Sequence, residues 1–532
     1  MANSRKLLLL GLDAASPPLL EAWAADGTLP NIAKLMATGL VGETRNNDGF
    51  EGSTWPSFFT GLNPAGHGFY WQQQRRPGTY REQECVPADF DRSQPLWEIV
   101  SAAGHRVVVL DVPLSKPSTG LNGVQTVEWG GHDRVYGFHT SPRGLRKTVL
   151  RSVGSYPIPG RCDTEQRSVP EYRQFADQLI EAVRLGARNA SELLAGEPWD
   201  FAIQVFGESH CAGHQLWHFH DTGHPNFDAA ITQATGNLVR EVYVALDTAV
   251  GKVVSGVESD TTVVLLTLHG MSITWGANFL LPEILERLGV VNRGSLMAPA
   301  GPGSEGRAAR LRRAYRRLPV GIRGPLYDLR QQLNERWLRR GSPMNVDPRR
   351  SKCFDVKIGT TYGGIQLNLR GREPDGTLAP GPEAERFVEQ LSRDLLDIAH
   401  PETGQRLVRS VIRTAELFQG PQLDRLPDLL VGWDPEFRLG TAVAGNGGGA
   451  VVRAWSSKMG LVEGTNVYCR TGDHQLGGMF IARGTGITPG RLGRVVSNLD
   501  LAPTFARVMG CEMPGVDGRL IPELLGTAVV QG

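Results

Sequence analysis

The stretch that organises this chain is Phe50-Glu51-Gly52-Ser53-Thr54-Trp55-Pro56-Ser57-Phe58-Phe59-Thr60-Gly61, followed by Asn63-Pro64-Ala65-Gly66-His67-Gly68. Its pattern predicts a loop that runs into a short helix. Ser53 or Thr54 can cap the helix, and Pro56 suits its first turn. Gly61 ends it. A hydroxyl at a helix N-terminus lies among unpaired N–H groups, which suits an oxyanion or a phosphate, although a capped surface helix would show the same local pattern.

Outward from this stretch, four apolar runs alternate with helical patterns. Residues 6–12, 106–113, 200–206 and 261–267 have the composition of buried strands, and residues 29–36, 95–100, 171–194 and 237–254 have that of helices. Such alternation predicts an α/β fold with a mostly parallel central sheet between helices. Residues 114–165 show little periodicity, and we expect loops there.

An Arg-rich region interrupts the pattern between residues 296 and 352. We expect an inserted helical cap here, and a catalytic core made of residues 1–295 and 353–532. The basic side chains are typical of a solvated helix face. A role beside an anionic substrate is an alternative, whereas a nucleic-acid surface fits poorly because the rest of the chain is balanced in charge.

Composition excludes several classes of protein. The 532 residues carry a net charge of +1, with 40% hydrophobic and 21% charged residues, which is ordinary for a globular protein and gives no argument for binding a nucleic-acid polymer. The first apolar run ends at Asp13 and is better explained as a strand than as a signal peptide. No apolar run approaches the length that is needed to span a membrane. Six scattered cysteines without paired spacing favour reduced thiols. We therefore expect a cytoplasmic protein that does not associate with membranes.

Histidines stand at or near the ends of the predicted strands. His210 and His214 are four residues apart and share one face if their segment is helical, which is common for two ligands of one metal ion. His269 follows a buried strand, His474 lies in a Gly-rich loop, and Asp13 adds a carboxylate. Each of these residues alone would more often be structural. Because the carboxyl ends of parallel strands meet at one edge of the sheet, the set predicts a metal site there.

The sequence resembles the type I phosphodiesterase/nucleotide pyrophosphatase branch of the alkaline phosphatase superfamily. The resemblance extends over nearly the whole chain. The matching segments are Gly11-Leu12-Asp13-Ala14, Leu29-Pro30-Asn31, residues 57–64 with His67-Gly68, Leu110-Asp111-Val112-Pro113, residues 208–217, His269-Gly270-Met271, residues 368–373, Pro427-Asp428-Leu429, Gly472-Asp473-His474 and Leu501-Ala502-Pro503-Thr504. It implies an alkaline phosphatase-like fold.

The resemblance also implies a catalytic apparatus. Such enzymes are similar in using two metal ions, usually zinc, around a Thr or Ser nucleophile that forms a covalent phospho-enzyme. Carried over by position, one ion would be held by Asp13, the nucleophile, an aspartate at position 268 and His269. The other would be held by an aspartate at position 210 with His214 and His474.

The chain departs from this pattern at one ligand position of each metal ion. Position 268 is Leu268, which cannot ligate, so the first ion should bind more weakly. Position 210 is His210, which leaves three imidazoles with His214 and His474. Three imidazoles with an open fourth position suit Zn²⁺, although iron or another divalent ion also fits.

The sequence does not decide which residue occupies the nucleophile position. Thr54-Trp55-Pro56 matches the family's Thr-x-Pro. The Thr60-Gly61 pair that follows, however, lies three residues closer to this motif than it does in the family. If the register is kept from Thr60 backwards, Glu51 takes the nucleophile's place, where a carboxylate could instead ligate metal. We keep Thr54 and Glu51 as alternatives, with Ser53 as a lesser candidate.

Together these features predict a metal-dependent phosphoester hydrolase, phosphodiesterase- or nucleotide pyrophosphatase-like, with one or two ions and a small organic phosphate as substrate. A diverged single-metal transferase, or another enzyme modifying a specialised metabolite, is the second hypothesis. A non-catalytic binding protein on the same fold is the third.

Overall fold

A computed structural model describes residues 6–47, 49–85, 94–131, 136–158, 167–293, 341–441, 451–466 and 469–526, together with the isolated positions 318, 319, 322, 326 and 329. The predicted helical cap over 296–352 therefore lies largely outside the described residues. The division of the chain into cap and core remains a prediction.

The described residues form strands that we number along the chain. They are β1 Leu7–Leu12, β2 Leu40–Arg45, β3 Gln73–Arg75, β4 Arg81–Glu84, β5 Val107–Leu110, β6 Gly123–Val127, β7 His139–Ser141, β8 Phe201–Phe206, β9 Thr262–Thr267, β10 Gly270–Ile273, β11 Ser342–Pro343, β12 Cys353–Val356, β13 Tyr362–Leu367, β14 Val408–Arg413, β15 Leu429–Trp433, β16 Val451–Ser456, β17 Gly460–Thr465, β18 Gly472–Gln475, β19 Gly477–Arg483, β20 Gly490–Arg491 and β21 Val496–Ser497.

The helices are numbered in the same way. They are α1 Pro17–Ala25, α2 Pro30–Thr38, α3 Thr54–Thr60, α4 Pro64–His67, α5 Leu96–Ala102, α6 Leu145–Val153, α7 Val169–Gly196, α8 Glu208–Leu216, α9 Ala229–Thr235, α10 Leu238–Ser255, α11 Leu281–Arg287, α12 Pro382–Leu396, α13 Thr414–Leu417, α14 Leu501–Val508 and α15 Pro522–Leu525.

The central sheet confirms the predicted fold class. Its strands run in the order β20-β2-β19-β9-β1-β8-β5-β6-β7, with β21 paired to β2. The pairs around β1, β5 and β8 are parallel, whereas β19 and β7 pair antiparallel with their neighbours. The prediction of loops over 114–165 is wrong for part of that range, because β6, β7 and α6 lie within it. The two strands are too short for a periodicity to emerge, whereas α6 does carry a helical pattern, with Leu145, Val149 and Val153 buried on one face.

Both faces of the sheet are covered by helices, which explains why β1 is a continuous leucine run. Leu8 and Leu10 face a core that includes side chains of α2, α7 and α10. Leu7 and Leu9 face the opposite core, to which α3, α5 and α14 contribute. Successive residues of a strand point to opposite faces, so a strand buried on both sides has no polar positions.

A second, smaller sheet accompanies the central one. Strands β12, β13, β15 and β14 pair antiparallel in that order. They share a hydrophobic core with α11, α12 and the hairpin β16–β17. We refer to this unit as the antiparallel lobe. The sequence alone does not predict this unit as distinct from the rest of the core. Among the described residues, no helix has the length and apolar character needed to cross a bilayer.

Candidate metal centre

The candidate site lies where central strands end, as expected for an open α/β sheet. Asp13 follows β1, and α8 begins two residues after β8 and carries His210 and His214. His269 lies between β9 and β10, and His474 lies in β18, which pairs with β10 opposite Met271. Segments far apart in sequence thus meet at one edge.

Three imidazoles come together in this place. The ring centroids of His210, His214 and His474 lie 4.3 to 4.9 Å apart, and all three side chains are buried. One ligand atom from each residue lies within 4.8 Å of the others, which is compatible with one metal ion. The predicted three-imidazole group is therefore assembled in the folded chain.

A backbone carbonyl orients one of these rings. Nδ1 of His214 lies 2.7 Å from the carbonyl oxygen of Gly472, so this nitrogen carries the proton and donates it. The ring's Nε2 is then the nitrogen with a lone pair. A hydrogen bond of this kind fixes the tautomer of many metal-binding histidines.

His474 also belongs to a second group that could hold an ion, with Glu51 and Asp473. Its Nε2 lies 2.9 Å from Nε2 of His210, and its Nδ1 lies 3.2 Å from Oε2 of Glu51. The two groups thus lie on opposite edges of one imidazole ring.

A loop of the antiparallel lobe closes over these carboxylates. The hydroxyl of Thr360 donates a hydrogen bond to Asp473. A Cβ atom at Gly359 would lie only 2.9 Å from Oε2 of Glu51, so the loop needs glycine there to approach the carboxylate. The site is consequently built by both parts of the fold.

Burial dominates the electrostatics of the two carboxylates. It raises the pKa of Glu51 to about 7, although the Arg470 guanidinium and the backbone N–H groups of residues 360 and 361 oppose the shift. Burial, reinforced by the nearby Glu51, also raises the pKa of Asp473. A bound cation would offset the cost of keeping both groups charged in this environment.

The candidates for the nucleophile occupy different surroundings. Oγ1 of Thr54 donates to the carbonyl of Glu51 at 2.8 Å and accepts a hydrogen bond from Asn46. Oγ of Ser53 donates to the carbonyl of Phe50 at 2.8 Å. Of the three candidates, Glu51 is the one whose side chain contacts a histidine of the site.

Asp13 and His269 lie beside these groups, but the described residues place neither of them in either group. Oδ1 of Asp13 accepts a hydrogen bond of 2.8 Å from the indole of Trp55. The ring of His269 is centred 4.6 Å from that of His474. Leu268 packs in the apolar core, so the side chain at this position supplies no ligand.

A nearby Ser–His pair resembles a catalytic dyad but cannot act as one. Nε2 of His67 lies 2.9 Å from Oγ of Ser57, and both side chains are buried. The backbone N–H of Phe69 donates to Nδ1 of His67 at 3.1 Å, so Nε2 carries the proton of the neutral ring. Burial lowers the pKa of His67 to about 3. Nε2 therefore donates to Ser57 and cannot accept its proton.

Sequence reasoning missed Asp473, Thr360 and Arg470. The prediction of a Gly-rich loop at residues 472–474 is wrong, because they belong to β18. Asp473 and His474 nevertheless offer ligand atoms to the same group, although adjacent side chains of a strand usually point to opposite faces. The loop with Thr360 carried no recognisable signal. The packing of the antiparallel lobe brings Thr360 to the site, whereas Asp473 comes with β18, which pairs with β10, and Arg470 lies just before that strand.

Two solved structures are similar to the chain at low sequence identity. The chain is similar to the structure of inactive murine ectonucleotide pyrophosphatase/phosphodiesterase 5 in complex with AMP, at 10% identity and a TM-score of 0.43, over 97% of each chain. It is also similar to phosphonoacetate hydrolase from Sinorhizobium meliloti 1021 in complex with phosphonoformate, at 13% identity and a TM-score of 0.46, over 94% of each chain. A comparison with curated protein sequences returned no match. Because the sequence model of the family matches residues 7–314, the chain belongs to the type I phosphodiesterase/nucleotide pyrophosphatase family.

Proposed function

We propose that this protein is a metal-dependent phosphoester hydrolase that acts on a small organic phosphate, with a principal metal ion held by His210, His214 and His474. The observation that carries the proposal is the convergence of these three imidazoles, with their ligand atoms within 4.8 Å of one another. Membership of the family supports phosphodiester or pyrophosphate bonds as the target.

The donor set favours zinc. Three imidazoles with an open fourth position are a common catalytic zinc site. Nδ1 of His214 already donates to a carbonyl, which leaves Nε2 to bind metal. The ring of His474 can serve the same ion through Nε2 while Nδ1–H donates to Glu51, an arrangement in which a carboxylate orients a metal-binding histidine.

We further propose that a second ion, if bound, is the weaker one. Asp13, Thr54 and His269 are its candidate ligands, and Glu51 with Asp473 offers an alternative on the other side of His474. A neutral imidazole has one lone pair, so His474 cannot serve both sides at full strength. Leu268 removes the carboxylate that the family places there. Near one equivalent of metal per chain is therefore the expected content.

When bound, zinc supplies Lewis acidity to the phosphoryl oxygens and lowers the pKa of water. We propose Thr54 as the attacking group. Its Oγ1 donates one hydrogen bond to a carbonyl and accepts one from Asn46, so one lone pair remains. Attack would form the Oγ1–P bond and break the P–O bond to the alcohol, and the leaving oxygen would take up the threonine proton. Glu51 is the alternative at this position, and its contact with His474 supports a role in orienting the metal site instead.

Two other functions keep the same fold. A single-ion site would also suit a transferase or another diverged enzyme that modifies a specialised metabolite. A non-catalytic binding protein would retain the pocket without turnover. The two-sided placement of His474, which opposes a pair of equally strong metal sites, is compatible with the transferase as well as with the hydrolase.

The test is metal analysis of the purified protein together with turnover of a phosphodiester panel. His214→Ala should lose the metal and the activity, whereas His139→Ala, which removes a histidine outside the site, should retain both. Thr54→Ala should retain the metal and lose turnover. Full activity after removal of all metal would refute the hydrolase mechanism. Absence of both metal and turnover in the wild type would favour the binding protein.

We also propose a cytoplasmic location, without nucleic-acid or membrane partners. The support comes from the cysteines of the described residues, which are buried and not disulfide-bonded: Cys85, Cys211, Cys353, Cys469 and Cys511. Such thiols persist in a reducing compartment.

A further inference from the structure

One carboxylate oxygen beside the three imidazoles is buried without a partner. Glu51 is only 5% exposed, and its Oε2 lies 3.2 Å from Nδ1 of His474. The backbone N–H groups of residues 360 and 361 lie near this carboxylate. Its Oε1 nevertheless forms no hydrogen bond within the described part of the chain. A buried acceptor without a donor is costly, so a cation that reaches Oε1 would stabilise the folded protein.

Asp473 supplies a second carboxylate at the same place. Ligand atoms of Glu51, Asp473 and His474 lie within 4.8 Å of one another, which is compatible with one ion. The hydroxyl of Thr360 donates its proton to Asp473 and keeps its own lone pairs. Oxygen ligands of this kind suit Mg²⁺ or Mn²⁺, whereas a cluster of imidazoles suits zinc.

The charges around this place also favour a cation. Nη1 of Arg470 lies 3.8 Å from Oδ1 of Asp473, so the two ionised carboxylates and this guanidinium leave one net negative charge. Asp355 and Lys357 line the cavity next to Arg470, and their opposite charges leave that balance unchanged. A divalent ion would make the balance positive, which suits the binding of a phosphoryl anion.

The two carboxylates border a cavity that provides room for further ligands. The cavity has a volume of about 310 Å³, and its wall includes Thr360 and Asp473 together with aromatic side chains such as Trp275 and Phe279. Mg²⁺ usually keeps several water molecules and is bound through one or two carboxylates and the phosphate of a substrate. An ion held by two carboxylates at the edge of this cavity can complete its coordination in that way.

We propose that the second ion of this protein is Mg²⁺ or Mn²⁺ held by Glu51 and Asp473, on the opposite edge of His474 from the three imidazoles. The proposal rests on the proposed function, in which Nε2 of His474 binds zinc. Nδ1–H of this ring continues to donate to Glu51, so oxygen atoms alone hold the second ion. The family instead implies an ion at Asp13 and His269, where Leu268 removes one of the carboxylates.

The test is a titration of the zinc-loaded protein with Mn²⁺, in which electron paramagnetic resonance measures the free ion. We expect about one Mn²⁺ per chain, displaceable by Mg²⁺, and no release of zinc, because Mn²⁺ is the weakest binder in the Irving–Williams order. Asp473→Asn keeps the shape of the side chain and removes one charge, and it should weaken Mn²⁺ binding at least about tenfold while the zinc content stays unchanged. Asp355→Asn, which changes an acidic residue elsewhere on the cavity wall, is the matched control and should bind Mn²⁺ like the wild type.

Asp13→Asn distinguishes the proposed position from the one that the family implies. We expect this variant to keep the wild-type affinity for Mn²⁺. Loss of Mn²⁺ binding in Asp13→Asn with unchanged binding in Asp473→Asn would overturn the proposal, and so would the absence of any Mn²⁺ binding in the zinc-loaded wild type. The zinc content and the circular dichroism spectrum of each variant identify a loss of binding that comes from misfolding.

Hydrolysis of bis(4-nitrophenyl) phosphate separates this proposal from the hydrolase function. Turnover by a zinc-loaded protein that binds no Mn²⁺ leaves the function standing and removes the second site. Binding of Mn²⁺ that depends on Asp473, without turnover of any ester, supports the site and rejects the hydrolase.

Discussion

Acidification should destabilise the folded protein through His67, and a single substitution should isolate the effect. Burial lowers the pKa of this side chain from 6.5 to about 3. Between these values the unfolded chain binds a proton that the folded chain does not accept, so the free energy of unfolding falls as the pH falls. With an unfolded pKa of about 6.5, the loss from pH 7 to pH 5 amounts to about 2 kcal/mol. That figure hardly changes as long as the folded pKa stays below about 4, because the folded ring is then neutral throughout.

The assay is urea unfolding of the metal-free protein at pH 7 and pH 5, for the wild type and for His67→Gln. Other buried histidines titrate alike in both proteins, so the difference between the two pH dependences reports His67. We expect the variant to lose about 2 kcal/mol less than the wild type over this interval. His139→Gln, at a half-exposed position, serves as the matched control. Equal losses in the wild type and His67→Gln would refute both the buried neutral ring and the argument against a Ser57–His67 dyad.

Three further substitutions test the site and its support. Leu268→Asp should destabilise the metal-free protein by at least the ~2–5 kcal/mol of a Leu→Ala change, since the side chain lies in an apolar core; unchanged stability in urea would contradict this placement. Arg75→Ala should cost up to about 3 kcal/mol, because buried Glu373 would lose its partner at 2.6 Å and keep only Arg372, at 3.1 Å, as a counter-charge; a thermal midpoint like that of the wild type would show that the Arg75–Glu373 pair does not stabilise the fold. Glu51→Gln should weaken zinc binding about 10- to 100-fold, as expected for a residue that orients His474, and an unaltered affinity in a chelator competition would exclude that role.

Local patterns predicted the parts of the fold that depend on near neighbours in sequence. The leucine run of β1 is buried on both faces, and such burial leaves a continuous apolar run that can be recognised in the sequence. His210 and His214 lie on one face of α8, because their spacing of four residues is close to one helical turn. The short strands β6 and β7 escaped recognition, since only five and three residues carry their pattern.

The role of the 50–61 stretch shows where such reasoning ends. The short helix α3 forms from Thr54 to Thr60 and ends at Gly61, which adopts a left-handed conformation. Its sequence leaves Thr54 and Glu51 as alternatives for the nucleophile position. In the folded chain the carboxylate of Glu51 contacts His474, whereas the hydroxyl of Thr54 bonds to a carbonyl and to Asn46.

The sequence by itself determined the parallel sheet, the family to which the chain belongs, and which histidines are candidate metal ligands, because each depends on local periodicity or on ordered motifs. The tertiary structure alone decided that Glu51 faces a histidine 423 residues away, that Asp473 joins them, and that aromatic side chains of the antiparallel lobe line a cavity beside them. Contacts over such separations follow from how two packed units meet, and no short segment of the chain carries that information.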